Sequence, residues 1–318
     1  AVRLGQGVFS HGRLTAGATR AAWHALTRYA KRIEELGVRH VRAVATSAVR
    51  ESRNGEDFVR RVRRDIGLPL EVISGSEEAR LVYLAARRMV PLGRRRWIVA
   101  NLGGGSVEIA VVDAQGIQAS ESHTLGAVRI LEAFRGTNAG TSGFAWYEDY
   151  VRTLRLPRLP GRTRPTGVIA TGGNAEELAQ LAGSLSPHAG VRILTTTALG
   201  TWIRTLAKLT VAERARSLVL KRDRADVILP AAVVYRRLAK LADVKHLWIP
   251  FAGTKEGLLF DQVETLAPRP GDAGRRERQL LNVALGLGRH YRFDESHGRQ
   301  VARLALSLFD QIPSLHGL

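Results

Sequence analysis

Two apolar runs joined by three glycines constrain this chain more than any other feature in it. Arg96-Trp97-Ile98-Val99-Ala100-Asn101 reads as a buried strand, Gly103-Gly104-Gly105 as a tight turn, and Val107 to Asp113 as a second strand. A strand, a glycine turn and a strand make a hairpin, which excludes the strand-to-helix turn of a dinucleotide-binding βαβ unit. Consecutive glycines leave backbone amides bare, so a phosphate can approach them closely. Ser106 adds a hydroxyl there and Glu108 a carboxylate. Glycines that serve only a positive φ would be spelled the same way.

Around the hairpin the periodicity alternates between helix and strand. Thr15 to Leu36 is an amphipathic helix closed by Gly37, His40 to Thr46 a strand, Asp57 to Ile66 a helix ended by Gly67, and Pro69 to Ile73 a strand. Ser76 to Arg88 is a helix with Ser76 or Glu77 at its N-cap. Further on, Gly167 to Ala170 is a strand running into Thr171-Gly172-Gly173, and a helix follows from Asn174 to Gly183. That order points amides at anions, although it is also ordinary helix-entry chemistry. Leu199 to Leu209 and Ala232 to Ala242 are helical, Lys245 to Pro250 is a strand, and Ala252-Gly253-Thr254 opens another helix. Pro157, Pro160 and Pro165 mark an exposed loop, and Pro268 to Asp272 is the best linker.

Length and composition narrow the class. At 318 residues with 45% hydrophobic and 24% charged residues, the chain is globular and long enough for two domains. No stretch approaches the roughly 20 uncharged apolar residues of a membrane span. With no Cys, any metal must be held by oxygen or imidazole ligands, which suits a reducing cytoplasm. The net charge is +19, and 42 of the 48 basic residues are Arg. The clusters at Arg60–Arg64, Arg94–Arg96 and Arg275–Arg278 are spread along the chain rather than gathered in a tail. A polyanionic ligand and a solvated surface both fit that pattern. Nucleic acid is one such polyanion on charge alone; the five tryptophans show no spacing suited to base stacking and read as core or interface residues, and no specific nucleic-acid partner is expected.

Both ends suggest a piece of a longer protein. Ala1-Val2-Arg3-Leu4-Gly5 has neither an initiator Met nor the features of a signal peptide. Near the other end, Val301, Leu304 and Leu308 line one face of an amphipathic helix over His297–Phe309, with little sequence after it to cover that face.

Several blocks, in order and at matching spacing, resemble one family. Ala45 to Asn54, Val72 to Leu81 with its Ser76-Glu77-Glu78-Ala79, and Asn101 to Glu108 look like three successive blocks of the exopolyphosphatase and guanosine pentaphosphate phosphohydrolase (Ppx/GppA) family. Thr124 to Arg129, Arg224 to Pro230 and Gly253 to Leu259 agree with later blocks. Tyr291 to Phe309 is similar to the opening of the HD-like helical region of longer members, although the chain has no His-Asp dipeptide and His297 reads as a cap or packing residue. The resemblance implies an α/β, two-domain actin-like, sugar-kinase-like (ASKHA, RNase H-like) fold. Its division here would be 1–96 and 97–265 for the two α/β domains and 266–318 for a linker and the start of the helical region. It also implies Mg²⁺-dependent hydrolysis of phosphoanhydride bonds, in the cytoplasm, by a protein that is a homodimer when full length.

Residue by residue, the resemblance places the catalytic glutamate on Glu78, with its neighbour Glu77 the alternative. Arg50 would bind phosphate oxygens. Gly103, Gly104, Gly105 and Ser106 match the second phosphate loop, with Glu108 and Asn101 expected near the metal. Thr171, Gly172 and Gly173 fall at the third glycine turn. Two departures stand out: the family's first phosphate loop precedes the residues present here, and its usual Asp is Asn101, which keeps the shape but removes a charge. The implied substrates are inorganic polyphosphate and guanosine pentaphosphate. A non-hydrolysing sensor of polyphosphate or (p)ppGpp is the alternative that Asn101 motivates. A kinase of the same superfold fits the Ser-x-Glu-Glu-Ala block less well.

Overall fold

The hairpin lies inside a seven-stranded mixed sheet, shown by a computed structural model, whose strands lie side by side in the order Gly116–His123, Val107–Asp113, Trp97–Leu102, Gly167–Thr171, His246–Ile249, Arg192–Thr195 and Ser184–Leu185. The structure describes residues 2–113, 115–134, 143–157, 164–267 and 293–313, with isolated positions from 274 to 291. In its first part the chain runs α1 (Val8–His11), α2 (Ala16–Glu35), β1 (Ala43–Ala45), α3 (Ser47–Arg50), α4 (Gly55–Arg61), β2 (Leu70–Val72) and α5 (Gly75–Met89). Next come β3 (Trp97–Leu102), β4 (Val107–Asp113), β5 (Gly116–His123), α6 (Ala127–Ala133), α7 (Gly143–Tyr150), β6 (Gly167–Thr171) and α8 (Gly173–Ala182). The remainder is β7 (Ser184–Leu185), β8 (Arg192–Thr195), α9 (Thr196–Lys208), α10 (Val211–Ser217), α11 (Arg222–Ala225), α12 (Ile228–Ala242), β9 (His246–Ile249), α13 (Thr254–Leu266) and a helix at Glu295–Gln311.

Strands β3, β6 and β9 are parallel and fill the middle of the sheet, while β4 and β5 add antiparallel at one edge. Both faces are covered, so β3 is buried along its length and apolar from Trp97 to Ala100 instead of alternating with polar residues. Ile98, Ala100 and Leu102 pack with α12, α8 and α9 in one cluster. Trp97 and Val99 turn the other way with Ala110, Val112 and Ile169, against Leu81, Val82 and Leu84 of α5. The period of two in a strand thus decides which residues of β3 and β4 face α5.

A smaller lobe carries the parallel pair β1–β2, joined through α3 and α4 as the helix–strand alternation predicts. Its own core is Val8, Leu14, Ala22, Val49, Phe58, Val59, Val62 and Leu70. Helix α4 continues through a wider-wound turn, Val62–Ile66, and stops at Gly67 at φ +77°. The last helix, Glu295–Gln311, leaves Val301, Leu304 and Leu308 exposed.

Several boundaries differ from the sequence reading. The N-cap of α5 is Ser74, not Ser76 or Glu77: the Ser74 hydroxyl accepts from the Glu77 amide at 3.1 Å. Helix α12 starts four residues early, through Pro230, because a first-turn proline costs no hydrogen bond. Strand β5 was not foreseen. Its Gln118, Ser120, Glu121, Ser122 and His123 are polar, so only its pairing with β4 identifies it. The linker Pro268–Asp272, Pro160 and most of the Arg275–Arg278 cluster lie outside the described residues. Among the described residues no helix is long and apolar enough to cross a membrane.

Helix α5 is pinned between the sheet and α13. A Cβ at Gly257 of α13 would fall 1.8 Å from the Leu81 carbonyl oxygen of α5. Gly257→Ala is therefore expected to push the two helices apart and cost about 2–3 kcal/mol. In urea unfolding this is a lower midpoint at unchanged m; an unchanged midpoint would show that the helices can separate freely.

Candidate active site

A single rung of the sheet supplies most of the polar groups in the cleft. Ser122 of β5 pairs with Glu108 of β4, Glu108 with Asn101 of β3, and Asn101 with Thr171 of β6. All four share the parity of the residues that face α5. Four polar side chains thus run across four strands at the end of an otherwise apolar sheet, and Glu78 in the first turn of α5 faces them.

The hydrogen bonds follow this geometry. Asn101 Nδ2 donates to Glu78 Oε1 at 3.2 Å and to Glu108 Oε2 at 3.4 Å. Glu108 Oε1 accepts from Ser106 Oγ at 2.6 Å and from Ser122 Oγ at 3.1 Å. Thr171 Oγ1 donates to Asn101 Oδ1 at 3.2 Å, and Tyr235 OH donates to the Thr171 carbonyl at 2.8 Å. Glu78 and Glu108 are 5% and 1% exposed, yet Glu78 Oε2 has no hydrogen-bond partner. A buried oxygen that is left open in an otherwise satisfied network marks the place for a ligand.

Two buried carboxylates this close raise each other's proton affinity. Burial, and then the charge of Glu108, pushes the Glu78 carboxyl up to about 8; Arg50 and Asn101 pull the other way. Burial likewise raises Glu108, against the hydrogen bonds of Ser106 and Ser122 and the charge of Arg50. Arg50 donates to the Ile73 carbonyl at 2.7 Å, which holds its guanidinium near both acids.

The glycine turn presents its amides. Carbonyls of Gly103, Gly104 and Gly105 accept from the amides of Ala127, Val128 and Gly126 at 2.9–3.1 Å. Those bonds turn the peptides so that the Gly104 and Gly105 amides donate to nothing among the described residues. A Cβ at 105 would lie 2.2 Å from the Phe9 ring, so any larger residue there must displace Phe9. Opposite, Gly172 sits at φ +102° and leads into α8, and a Cβ on Gly173 would meet the Arg224 guanidinium at 2.4 Å. Glu78, Asn101, Gly103–Gly105, Gly172 and Gly173 line one cavity of about 580 Å³ between the lobes.

Glu77 lies elsewhere. Its carboxylate accepts from Arg80 Nε at 2.7 Å and from Arg80 Nη2 at 2.9 Å, and pairs with Arg42 at 3.5 Å. One residue along a helix turns the side chain by about 100°, which takes it out of the polar rung. The structure therefore gathers Glu78, Asn101, Ser106, Glu108 and Thr171, places the two glycine turns across from each other, and leaves Glu77 in an ion-pair network. Asn174, whose buried Oδ1 lacks a partner, was read only as the start of a helix, and Ser122 and Tyr235 were missed by sequence reasoning. Spacing alone shows no sign of them, since each depends on strand register or on packing between distant elements.

Among the described residues no group of three or more His, Asp or Glu converges as a metal cage. The two carboxylates nevertheless supply oxygen donors, and the open Glu78 oxygen suits a hard cation or its water, while Asn101 turns its Nδ2 to both acids and its Oδ1 to Thr171.

A family model described as the Ppx/GppA phosphatase family matches residues 1–266. Exopolyphosphatase 1 of Mycobacterium tuberculosis (strain ATCC 25618 / H37Rv) is 28% identical over 273 residues, covering 84% of this chain and 79% of that protein. The guanosine-5'-triphosphate,3'-diphosphate pyrophosphatase of Vibrio vulnificus (strain YJ016) is 26% identical over 320 residues, 98% of this chain but 61% of the relative. The crystal structure of the Aquifex aeolicus Ppx/GppA family member superposes with a TM-score of 0.68 at 26% identity, covering 84% of this chain and 88% of that one. The fold is thus the actin-like α/β fold of those structures.

The raised proton affinity of Glu78 has a sign that can be tested. An acid that binds its proton more tightly when folded makes stability fall as pH rises from about 4.5 to about 8. In metal-free buffer Glu78→Gln removes that loss, on the order of 3–5 kcal/mol. The variant should gain on the parent in melting temperature between pH 5 and pH 9; a gap that does not change with pH would mean that Glu78 is solvated.

Proposed function

We propose that this chain, which belongs to the Ppx/GppA phosphatase family, removes the terminal phosphate from a polyanionic phosphate chain, polyphosphate or guanosine pentaphosphate, by attack of water on the end phosphorus. The observation that carries the reading is Glu78: buried, bonded on one oxygen to the polar rung, and open on the other toward the cavity shared with both glycine turns. The names of the M. tuberculosis and V. vulnificus relatives support the two substrates.

In this mechanism the Gly104 and Gly105 amides and the Gly172–Gly173 turn hold phosphate oxygens, and Arg50 binds them with its planar fork. Glu78 Oε2 accepts a hydrogen bond from the attacking water and takes its proton as the oxygen bonds to phosphorus. The bond from phosphorus to the bridging oxygen breaks, giving orthophosphate and a chain one phosphate shorter. A carboxylate with raised proton affinity suits a base that must act near neutral pH. Glu108 and Asn101 are the residues that would hold a divalent cation, Mg²⁺ in this reading. Such an ion supplies charge neutralisation at the phosphate oxygens. Positioning and charge thus carry the catalysis, and the arginine-rich surface suits a long polyanion.

Asn101 favours a second reading, a sensor that binds the same ligands without turnover. Its neutral amide bridges Glu78 and Glu108, where an aspartate would add a third negative group for a cation to hold.

Phosphate release from polyphosphate and from guanosine pentaphosphate, with Mg²⁺ present, tests both readings. Turnover by the parent and a drop of about 10³-fold in kcat for Glu78→Gln support the hydrolase. Tight binding of both ligands with release only after Asn101→Asp supports the sensor.

A further inference from the structure

We propose that Arg129 is a positioning residue that locks the glycine turn of the large lobe to the helix of the small lobe that carries Arg50; the proposal rests on the phosphate-binding reading above. Arg129, in the first turn of α6, makes three contacts. Its Nε donates to the Gly105 carbonyl at 2.8 Å, its Nη2 donates to the Glu51 carboxylate, and its guanidinium stacks over the Phe9 ring at 4.2 Å. Gly105 belongs to the large lobe; Glu51 and Phe9 belong to the small one.

Glu51 directly follows Arg50, and its amide donates to the Ser47 carbonyl to close α3. The single guanidinium therefore fixes two phosphate-binding groups against each other: the Gly104–Gly105 amides through the Gly105 carbonyl, and Arg50 through Glu51. The contact is tight. A Cβ on Gly105 would meet Phe9 at 2.2 Å and Ser47 Oγ at 2.7 Å, so the turn has no room to shift toward the small lobe.

The planar fork matters here. A guanidinium can donate to a carbonyl and a carboxylate at once and lie flat on a ring, whereas an ammonium is a point charge. Lysine at 129 would reach one partner and release the other. Separating the lobes would also break the Glu51 pair, so the latch holds the two phosphate-binding groups in register only while the cleft is closed.

The test is a double-mutant cycle with two readouts. Affinity for tripolyphosphate is measured by calorimetry in the parent, Arg129→Ala, Glu51→Ala and the double variant. Each single change should weaken binding about tenfold and the double no more than either alone, because both remove the same link. Arg129→Lys should bind as poorly as Arg129→Ala. Losses that multiply, or a lysine that restores affinity, would overturn the proposal. Hydrogen exchange needs no ligand. In Arg129→Ala it should quicken in a peptide spanning 103–106 and in one spanning 47–51, and stay unchanged in 97–101. Unchanged exchange at both sites would also overturn the latch, even if the parent binds no phosphate chain, which would instead count against the functional reading. Should Arg129→Ala fold poorly, Glu51→Gln, at a more exposed position, gives the same exchange readout.

Discussion

Two carboxylates held against one another in the protein interior are the constraint on which the rest of this structure depends. Glu78 and Glu108 are both buried on one shared amide, and like charges repel more strongly when water is excluded. Three features make the arrangement tolerable. The Asn101 amide donates to both acids, two serine hydroxyls donate to Glu108, and Arg50 sits close enough to draw both proton affinities back down. The pair persists because the scaffold on either side is rigid. β4 is held in the middle of a three-stranded antiparallel run, and α5 is clamped by packing on both of its faces.

The clamp on α5 explains why adjacent glutamates do different work. Glu77 points away from the sheet, where Arg80 and Arg42 join it to Asp261 of α13 in a network that spans both lobes. Arg80 is 3% exposed, and with Asp261 it forms a buried ion pair whose loss of one partner would strand a charge. That network anchors α5 on one side; Glu78 emerges on the other, at the polar rung. A helix that was free to rotate would move the Glu78 oxygen away from the cavity.

The hairpin, its glycine turn and most helices were legible in the sequence because each is local, and Glu78 was reached through the Ser76-Glu77-Glu78-Ala79 block of the family resemblance. Apolar runs, turn glycines and helix stops act within a few residues of where they are written. The rung itself was not legible. Glu108, Asn101 and Thr171 come together through register across three strands, and Ser122 joins them from a strand whose polar residues carry no strand pattern. The same holds for the pairing of Arg42 with Asp261, 219 residues apart. Ser74 and Ser76 are a smaller case. Both are good caps, and their hydroxyls lie 2.9 Å apart, so only the backbone turn at Ser74 decides between them.

The two buried acids are not equivalent in their hydrogen bonds. Both oxygens of Glu108 are engaged, one by two hydroxyls and the other by the Asn101 amide. Glu78 has one oxygen on the same amide and the other unsatisfied, and it alone of the two lines the cavity. An unfilled acceptor inside a protein is costly, and it is retained most readily where a ligand completes it. In the proposed hydrolysis the open oxygen of Glu78 is therefore assigned the proton, with Glu108 and Asn101 beside it.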